Sequence, residues 1–287
     1  MPPLARRDVR SLVRKLGAHA RPAQQRQALN TITGLSFCGE DRDILVAIAT
    51  AGAIPPLVRL LGPSSSADVR GGAAVALANL TVIAENIVTI TAAGAISPLV
   101  VMLGTSSAAQ VQQSAAGALA RLAKNAEIAV TIAAAGAIPQ LVLLLGTTST
   151  AETQRTALGA LMNLASNADN QVTIVAAGAI PRLVLMLGRG SPAEVQQNSG
   201  IILHSLALTA DNQVAIAAAS AIPSLVLMLG PGSSALAQEI AALVLAALAF
   251  SNADNRVAIA AAGAIPPLVQ LTGPGCGADT IPMAAAS

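Results

Sequence analysis

An all-α solenoid of three-helix repeats with a period of 42 residues is the fold this sequence predicts, and three observations carry it. The tripeptide Gly-Ala-Ile begins at Gly52, Gly94, Gly136, Gly178 and Gly263, with Ser-Ala-Ile at Ser220, at successive intervals of 42, 42, 42, 42 and 43. Such a period belongs to repeats of two or three helices that stack. A proline follows each tripeptide closely (Pro55, Pro98, Pro139, Pro181, Pro223 and Pro266). Finally, the 287-residue chain is 54% hydrophobic but only 1% aromatic, so its core must be built from small aliphatic side chains packed between close helices.

Each element follows from its punctuation. Residues 8–16 and 21–36 read as a degenerate second and third helix, a partial N-terminal cap over 8–40. Five full repeats fill 41–251. Within each, a short first helix such as 170–177 has Asp169 or Asn170 placed to cap its start. Gly178 ends it, since a left-handed residue is cheapest without a Cβ. The second helix starts at once with proline near its first position, where the missing amide costs no hydrogen bond. A proline there breaks any helix running through and forces a corner. Second helices stop at Gly62, Gly104, Gly146, Gly188 or Gly230, and a Ser/Thr-rich link follows. That link ends in capping-box spacings: Ser65 to Asp68, Ser107 to Gln110, Ser149 to Glu152 and Ser191 to Glu194. The third helix is the longest, as in 152–165, with Leu158, Leu161 and Leu164 on one face. A partial unit, 252–272, closes the solenoid of 1–272. The low-complexity stretch 273–287 is expected to be disordered.

Charge is sparse: 16 basic and 14 acidic residues give a net of +2. It is also uneven, because Arg6, Arg7, Arg10, Arg14, Lys15, Arg21 and Arg26 face only Asp8 at the start of the chain. Val9, Leu12, Val13 and Leu16 recur there at helical spacing, which makes those cations the wet face of an amphipathic helix. Cys38 and Cys276 match no metal or disulfide pattern, and a reducing, cytoplasmic setting is expected, with the nucleus as an alternative. No secretory signal is read at the N-terminus. The apolar run 128–151 has the length of a membrane span, but Gly136 and Pro139 interrupt it, so it reads as the buried seam of a repeat.

The run from Asn212 through Ser220 and Pro223 to Val226 resembles the first-to-second-helix junction of the armadillo family. Ala-Leu-Ala-Asn-Leu at 76–80 and Ala-Leu-Met-Asn-Leu at 160–164 resemble its third helix. The resemblance covers roughly 9–271 and implies a right-handed superhelix whose third helices line a concave groove. It also implies a partner protein or extended peptide held there by a ladder of asparagines. The aligned ladder here is Gly34, Asn79, Arg121, Asn163, Ser205 and Ala247. One turn earlier, where the family's nuclear-import receptors place tryptophans, stand Asn30, Val75, Gly117, Gly159, Ile201 and Leu243. A basic nuclear signal is therefore not the expected ligand.

The expected groove residues are Asn79, Arg121, Lys124, Arg155, Asn163, Asn198 and Ser205, with the cations facing a partner's carboxylates. No catalytic constellation is found. Lys15 and Lys124 lack a phosphate-loop glycine pattern, no Gly-x-Ser-x-Gly occurs, and His19 and His204 have no ligand or base partners at useful spacing. Asp41 and Asp43 read as caps of a first helix. The expectation is a monomeric protein-binding scaffold or adaptor, not an enzyme. No metal, cofactor or small-molecule substrate is expected, and nucleic acid is not the expected partner. Two alternatives stand beside it: the substrate-recognition part of a ubiquitin ligase system, and a membrane-surface organiser acting through the basic N-terminus.

Overall fold

The computed structural model describes residues 6–17, 20–37 and 42–272, and every regular element among them is a helix. The chain divides into two compact units, Met1–Leu164 and Ala165–Ser287. The expected tail 273–287, Asp41 and His19 lie outside the described residues.

The first unit opens with α1 (Arg6–Lys15) and α2 (Pro22–Phe37). Three triplets follow: α3 (Arg42–Thr50), α4 (Ile54–Leu60) and α5 (Ala67–Leu80); α6 (Ala84–Ala92), α7 (Ile96–Met102) and α8 (Ala109–Leu122); α9 (Ala126–Ala134), α10 (Ala137–Leu144) and α11 (Ala151–Leu164). The long helices α2, α5, α8 and α11 pack in sequence, each on the next. The stripe of α1 is turned inward: Val9 and Leu16 are buried where α1 meets α2 and α3, while Arg10 and Arg14 are exposed.

The second unit holds α12 (Ala168–Ala176), α13 (Ala179–Met186) and α14 (Ala193–Leu206), then α15 (Ala210–Ala218), α16 (Ala221–Met228) and α17 (Ala235–Ala249). It ends with α18 (Ala253–Ala261) and α19 (Ile265–Thr272). Here α14 packs on α17, and the short helices form a layer in which α13 touches α15 and α16 touches α18.

The corners obey the backbone chemistry read from sequence. Gly52, Gly94, Gly136, Gly178 and Gly263 are left-handed at φ 76–81°, and Ser220 takes the same conformation at φ 65°. First and second helices meet at 81° to 85° in the four pairs α3/α4, α6/α7, α9/α10 and α15/α16. The apolar run 128–151 is thus broken by a corner, and no single described helix is long and apolar enough to cross a membrane. Leu158, Leu161 and Leu164 are fully buried, each stabilising the stack by about 2 kcal/mol through apolar burial.

The caps differ from the expected spacing. Ser65, Ser107, Ser149 and Ser191 do not cap the third helices; their amides donate to the carbonyls of Gly62, Gly104, Gly146 and Gly188 at 2.9–3.1 Å. Each of these serines closes a turn, so the cap position falls one residue later than the pattern suggests, while the third helix read at 152–165 runs from Ala151 to Leu164. Ser66, Thr150 and Ser234 accept from Val69, Thr153 and Ala237 instead, while Ala108 and Pro192 offer no side-chain cap. Similarly, the first helix at 168 is capped by Asn167, which accepts from the Asn170 amide at 3.0 Å, and not by Asp169 or Asn170. Asp169 sits in the first turn, where a carboxylate suits the helix dipole.

One device escaped the sequence reading. Gln112, Gln154, Gln196 and Gln238, spaced by 42, each donate Nε2 to the carbonyl of the glycine that ends the preceding second helix, at 2.7–3.0 Å. Each satisfies an orphan acceptor at a helix C-terminus and clamps the link shut. Arg70 occupies this register in the first full repeat, and its Nε is buried without a partner.

Candidate functional site

The long third helices carry the expected site, and the two units carry different parts of it. In the first unit, Arg121 closes the last turn of α8 and Lys124 follows its end; both are exposed, and neither pairs with a carboxylate among the described residues. A cation at a helix C-terminus is favoured by the dipole, which leaves both charges fixed and available. Arg155, on α11, is not in that state. It forms a bidentate pair with Glu152, one turn back, with Nε to Oε2 at 2.9 Å. The pairing with Arg155 holds the Glu152 carboxyl below its usual range. Gln113 on α8 donates to Glu152 Oε1 at 3.4 Å, so the carboxylate that matches Arg155 is also held from the neighbouring helix.

The two asparagines of the ladder are tied into the stack. Asn163 donates Nδ2 to the Ala120 carbonyl of the neighbouring third helix at 2.7 Å, and Asn79 is only 7% exposed. Between them the outward positions Gly117 and Gly159 are bare: a Cβ added at either would meet nothing within 4 Å.

In the second unit the same helical face is apolar. Asn198 is half-exposed, and the Ser205 hydroxyl donates to the Ile201 carbonyl at 3.1 Å. Around them Ile201, Leu208, Leu243 and Phe250 are exposed, the last at 74%. Leu236, Leu243 and Phe250 recur every seventh residue, two helical turns apart, which is the signal that sequence reading passed over. His204 lies half-buried on this face, and burial lowers its pKa below the usual imidazole range. A depressed imidazole contributes stability in full above its unfolded pKa, and that contribution is lost as pH falls through the folded one. Denaturation midpoints are therefore expected to fall between about pH 7.5 and pH 5.5, with a smaller decline in His204→Gln. Equal slopes in both proteins exclude this role.

Among the described residues no group of three His, Cys, Asp or Glu side chains is placed to hold a metal ion. What the arrangement can do is present charge and apolar area along neighbouring helices.

Comparisons with known proteins meet this geometry. A family model described as the plant U-box protein ARM repeat region matches residues 8–286. An engineered protein of known structure aligns with a TM-score of 0.82 at 32% identity, over 93% of this chain; the alignment spans 64% of that protein's length. A designed armadillo repeat protein aligns at a TM-score of 0.75 and 28% identity, over 84% of this chain and 99% of its own. Another designed armadillo protein, solved in complex with the peptide (KR)4, aligns at 0.73 and 28% identity, over 84% and 99%. Among curated proteins none matches.

Proposed function

This chain belongs to the armadillo-repeat family, as a plant U-box type ARM repeat region, and we propose that it is a scaffold holding an extended, acidic segment of a partner protein on its third helices. One observation carries the reading: Arg121 in the last turn of α8 and Lys124 just past its end stand exposed and unmatched, beside outward positions bare of side chains at Gly117 and Gly159. A peptide backbone can approach a helix closely where no Cβ intervenes, and its carboxylates then reach both cations. The designed relative binds a lysine-arginine peptide. The unmatched cations of this chain favour the opposite charge, because like charges across an interface cost affinity and opposite ones add on-rate and register.

Fluorescence polarisation with two labelled peptides tests this, one of alternating Asp and Glu and the other (KR)4. The acidic peptide is expected to bind, and Arg121→Glu/Lys124→Glu to weaken it by about tenfold or more. Glu152→Gln, which releases Arg155, is expected to strengthen it. Tighter binding of (KR)4, or indifference to the charge reversal, removes the reading.

A second reading follows from the family itself: the segment held is the substrate of a ubiquitin ligase, and this chain is the part that recognises it. In that case, adding this chain to a ubiquitin-transfer system directs modification onto the bound protein, and the double charge reversal abolishes it. A transfer pattern unaltered by the chain counts against it.

A further inference from the structure

The start of the first unit holds charge that its own fold does not use. On the outward face of α1, Arg10 and Arg14 stand one turn apart and exposed, and Lys15 follows, partly exposed. Like charges at that spacing cost a helix stability. Arg21, exposed directly before α2, is placed worse still. The positive end of the helix dipole disfavours a cation there, and the first turn of α2 holds no acid to offset it. None of these four cations makes an ion pair among the described residues. The elements packed around them supply little opposing charge. α1 meets α2 and α3. On α2 the sole charge is Arg26, which Asp68 of α5 approaches at 3.9 Å, with both side chains exposed. On α3, Asp43 is exposed beside an equally exposed Arg42. On α1 itself, Asp8 precedes Arg14 by six residues, about 9 Å along the axis. From Arg6 to Asp43, with Glu40 and Asp41 included, the sequence counts eight basic and four acidic residues, a net of +4.

These cations border a cleft. It is open, measures about 370 Å³, and is lined by Ser11, Arg14 and Lys15 of α1 and by Ala20 and Gln24 at the start of α2. Gln24 Oε1 accepts from the Arg21 amide at 3.0 Å, which leaves its Nε2 hydrogens for the cleft. The lining therefore offers two cations, an amide donor and a hydroxyl, and it contains no carboxylate. A carboxylate would bring only a single charge to such a set. A phosphate monoester brings a charge of about −1.5 to −2 and three acceptor oxygens, which matches two cations and two further donors. The cleft is larger than one phosphate, and Arg10 and Arg21 flank its lining residues Arg14 and Ala20. A second phosphate on the same small scaffold thus also meets a cation. A nucleotide would need an aromatic face for its base, and none of the five lining residues supplies one. We propose that this cleft binds a compact polyphosphate, with several phosphate monoesters on one small ring, as in an inositol phosphate free in solution or borne as a lipid headgroup.

Isothermal titration calorimetry of the whole chain with inositol hexakisphosphate tests the site. One-to-one binding is expected, weaker as salt rises. Arg14→Gln/Lys15→Gln is expected to weaken it by about tenfold or more. Ser11→Glu keeps every cation but puts a carboxylate into the cleft, and it is expected to cost as much. Both variants alter the outward face of α1, so circular dichroism should show them folded. Arg121→Glu/Lys124→Glu, on the third helices, should leave the affinity unchanged. Sedimentation with phosphatidylcholine vesicles names the source, one set carrying phosphatidylinositol 4,5-bisphosphate and the other phosphatidylserine at equal charge. Pelleting with the first set alone supports the lipid-borne ligand. Pelleting with neither, alongside binding of the hexakisphosphate, supports the free one. Equal pelleting with both sets shows a diffuse charged patch and overturns the proposal. So does an absence of hexakisphosphate binding, or binding that Ser11→Glu leaves intact. Tighter capture of a phosphoserine peptide, lost in the same variants, likewise overturns it in favour of a phosphorylated partner protein.

Discussion

Replacing Gly200 by valine is expected to destabilise the second unit by about 2–3 kcal/mol, more than any surface change in it. Gly200 sits mid-way along α14 where it packs on α17, and it is fully enclosed. A Cβ there would lie inside the van der Waals shell of Ile240 Cγ2, 3.8 Å from Ile240 Cβ and 4.0 Å from Leu187 Cδ2. Ile240 cannot yield, because its methyl is fixed by a β-branched rotamer between packed helices. The overlap must then separate the helices or force a strained rotamer. Gly159 on α11 is the counter-case, since an added Cβ there meets nothing. There only the helix propensity changes, and Gly159→Ala is expected to stabilise by about 0.5–1 kcal/mol. Urea denaturation of the two variants should move the midpoint in opposite directions. If both destabilise, the outward face at Gly159 is not open.

A comparable shift is expected at the corners. Left-handed backbone costs a residue with a Cβ about 1–2 kcal/mol, which Gly52, Gly94, Gly136, Gly178 and Gly263 avoid and Ser220 does not. Ser220→Gly is expected to stabilise by about 1 kcal/mol. Gly178→Val, a β-branched residue put into the same conformation, is expected to cost about 2 kcal/mol or more. Space is not the issue at Gly178, where an added Cβ meets no atom within 4 Å, so the measured difference isolates backbone strain. A neutral Gly178→Val in thermal or urea unfolding contradicts the corner geometry.

These corners explain why so much of the fold was legible. Gly178 and Pro181 act on their own backbone, so their effect is written in the residues themselves. The third-helix cap was read one residue early, at Ser149 instead of Thr150, because the turn from Gly146 to Ser149 uses the serine amide, a fact of loop geometry rather than residue type. Gln154 was missed for the same reason: its carbonyl partner is eight residues back and comes near only once the link has folded over. At the candidate site, the positions of Arg121 and Arg155 followed from the repeat register, but their difference did not. Arg155 is matched by Glu152, which Gln113 also bonds, and Asn163 donates to Ala120, through contacts that depend on rotamers and on a neighbouring helix. Exposed Val172, Val214 and Val257 stood in plain view at intervals of 42 and 43 residues. In a stretch as apolar as 172–177, where Thr173 is the one polar residue, periodicity alone does not say which side is wet.

The glutamine clamps also bear on how the chain comes apart. A stack whose links are each closed by their own side chain has no need of a distant contact to keep them shut, so an opening can begin at one link and halt at the next. The first full repeat is where such an opening should start, since Arg70 replaces the glutamine and leaves its Nε buried without an acceptor. Amide exchange through 62–70 should accordingly outpace exchange through 104–112 and 146–154, whose clamps are intact. A protease able to trap that transient state would nick the chain there first, with the later repeats still folded.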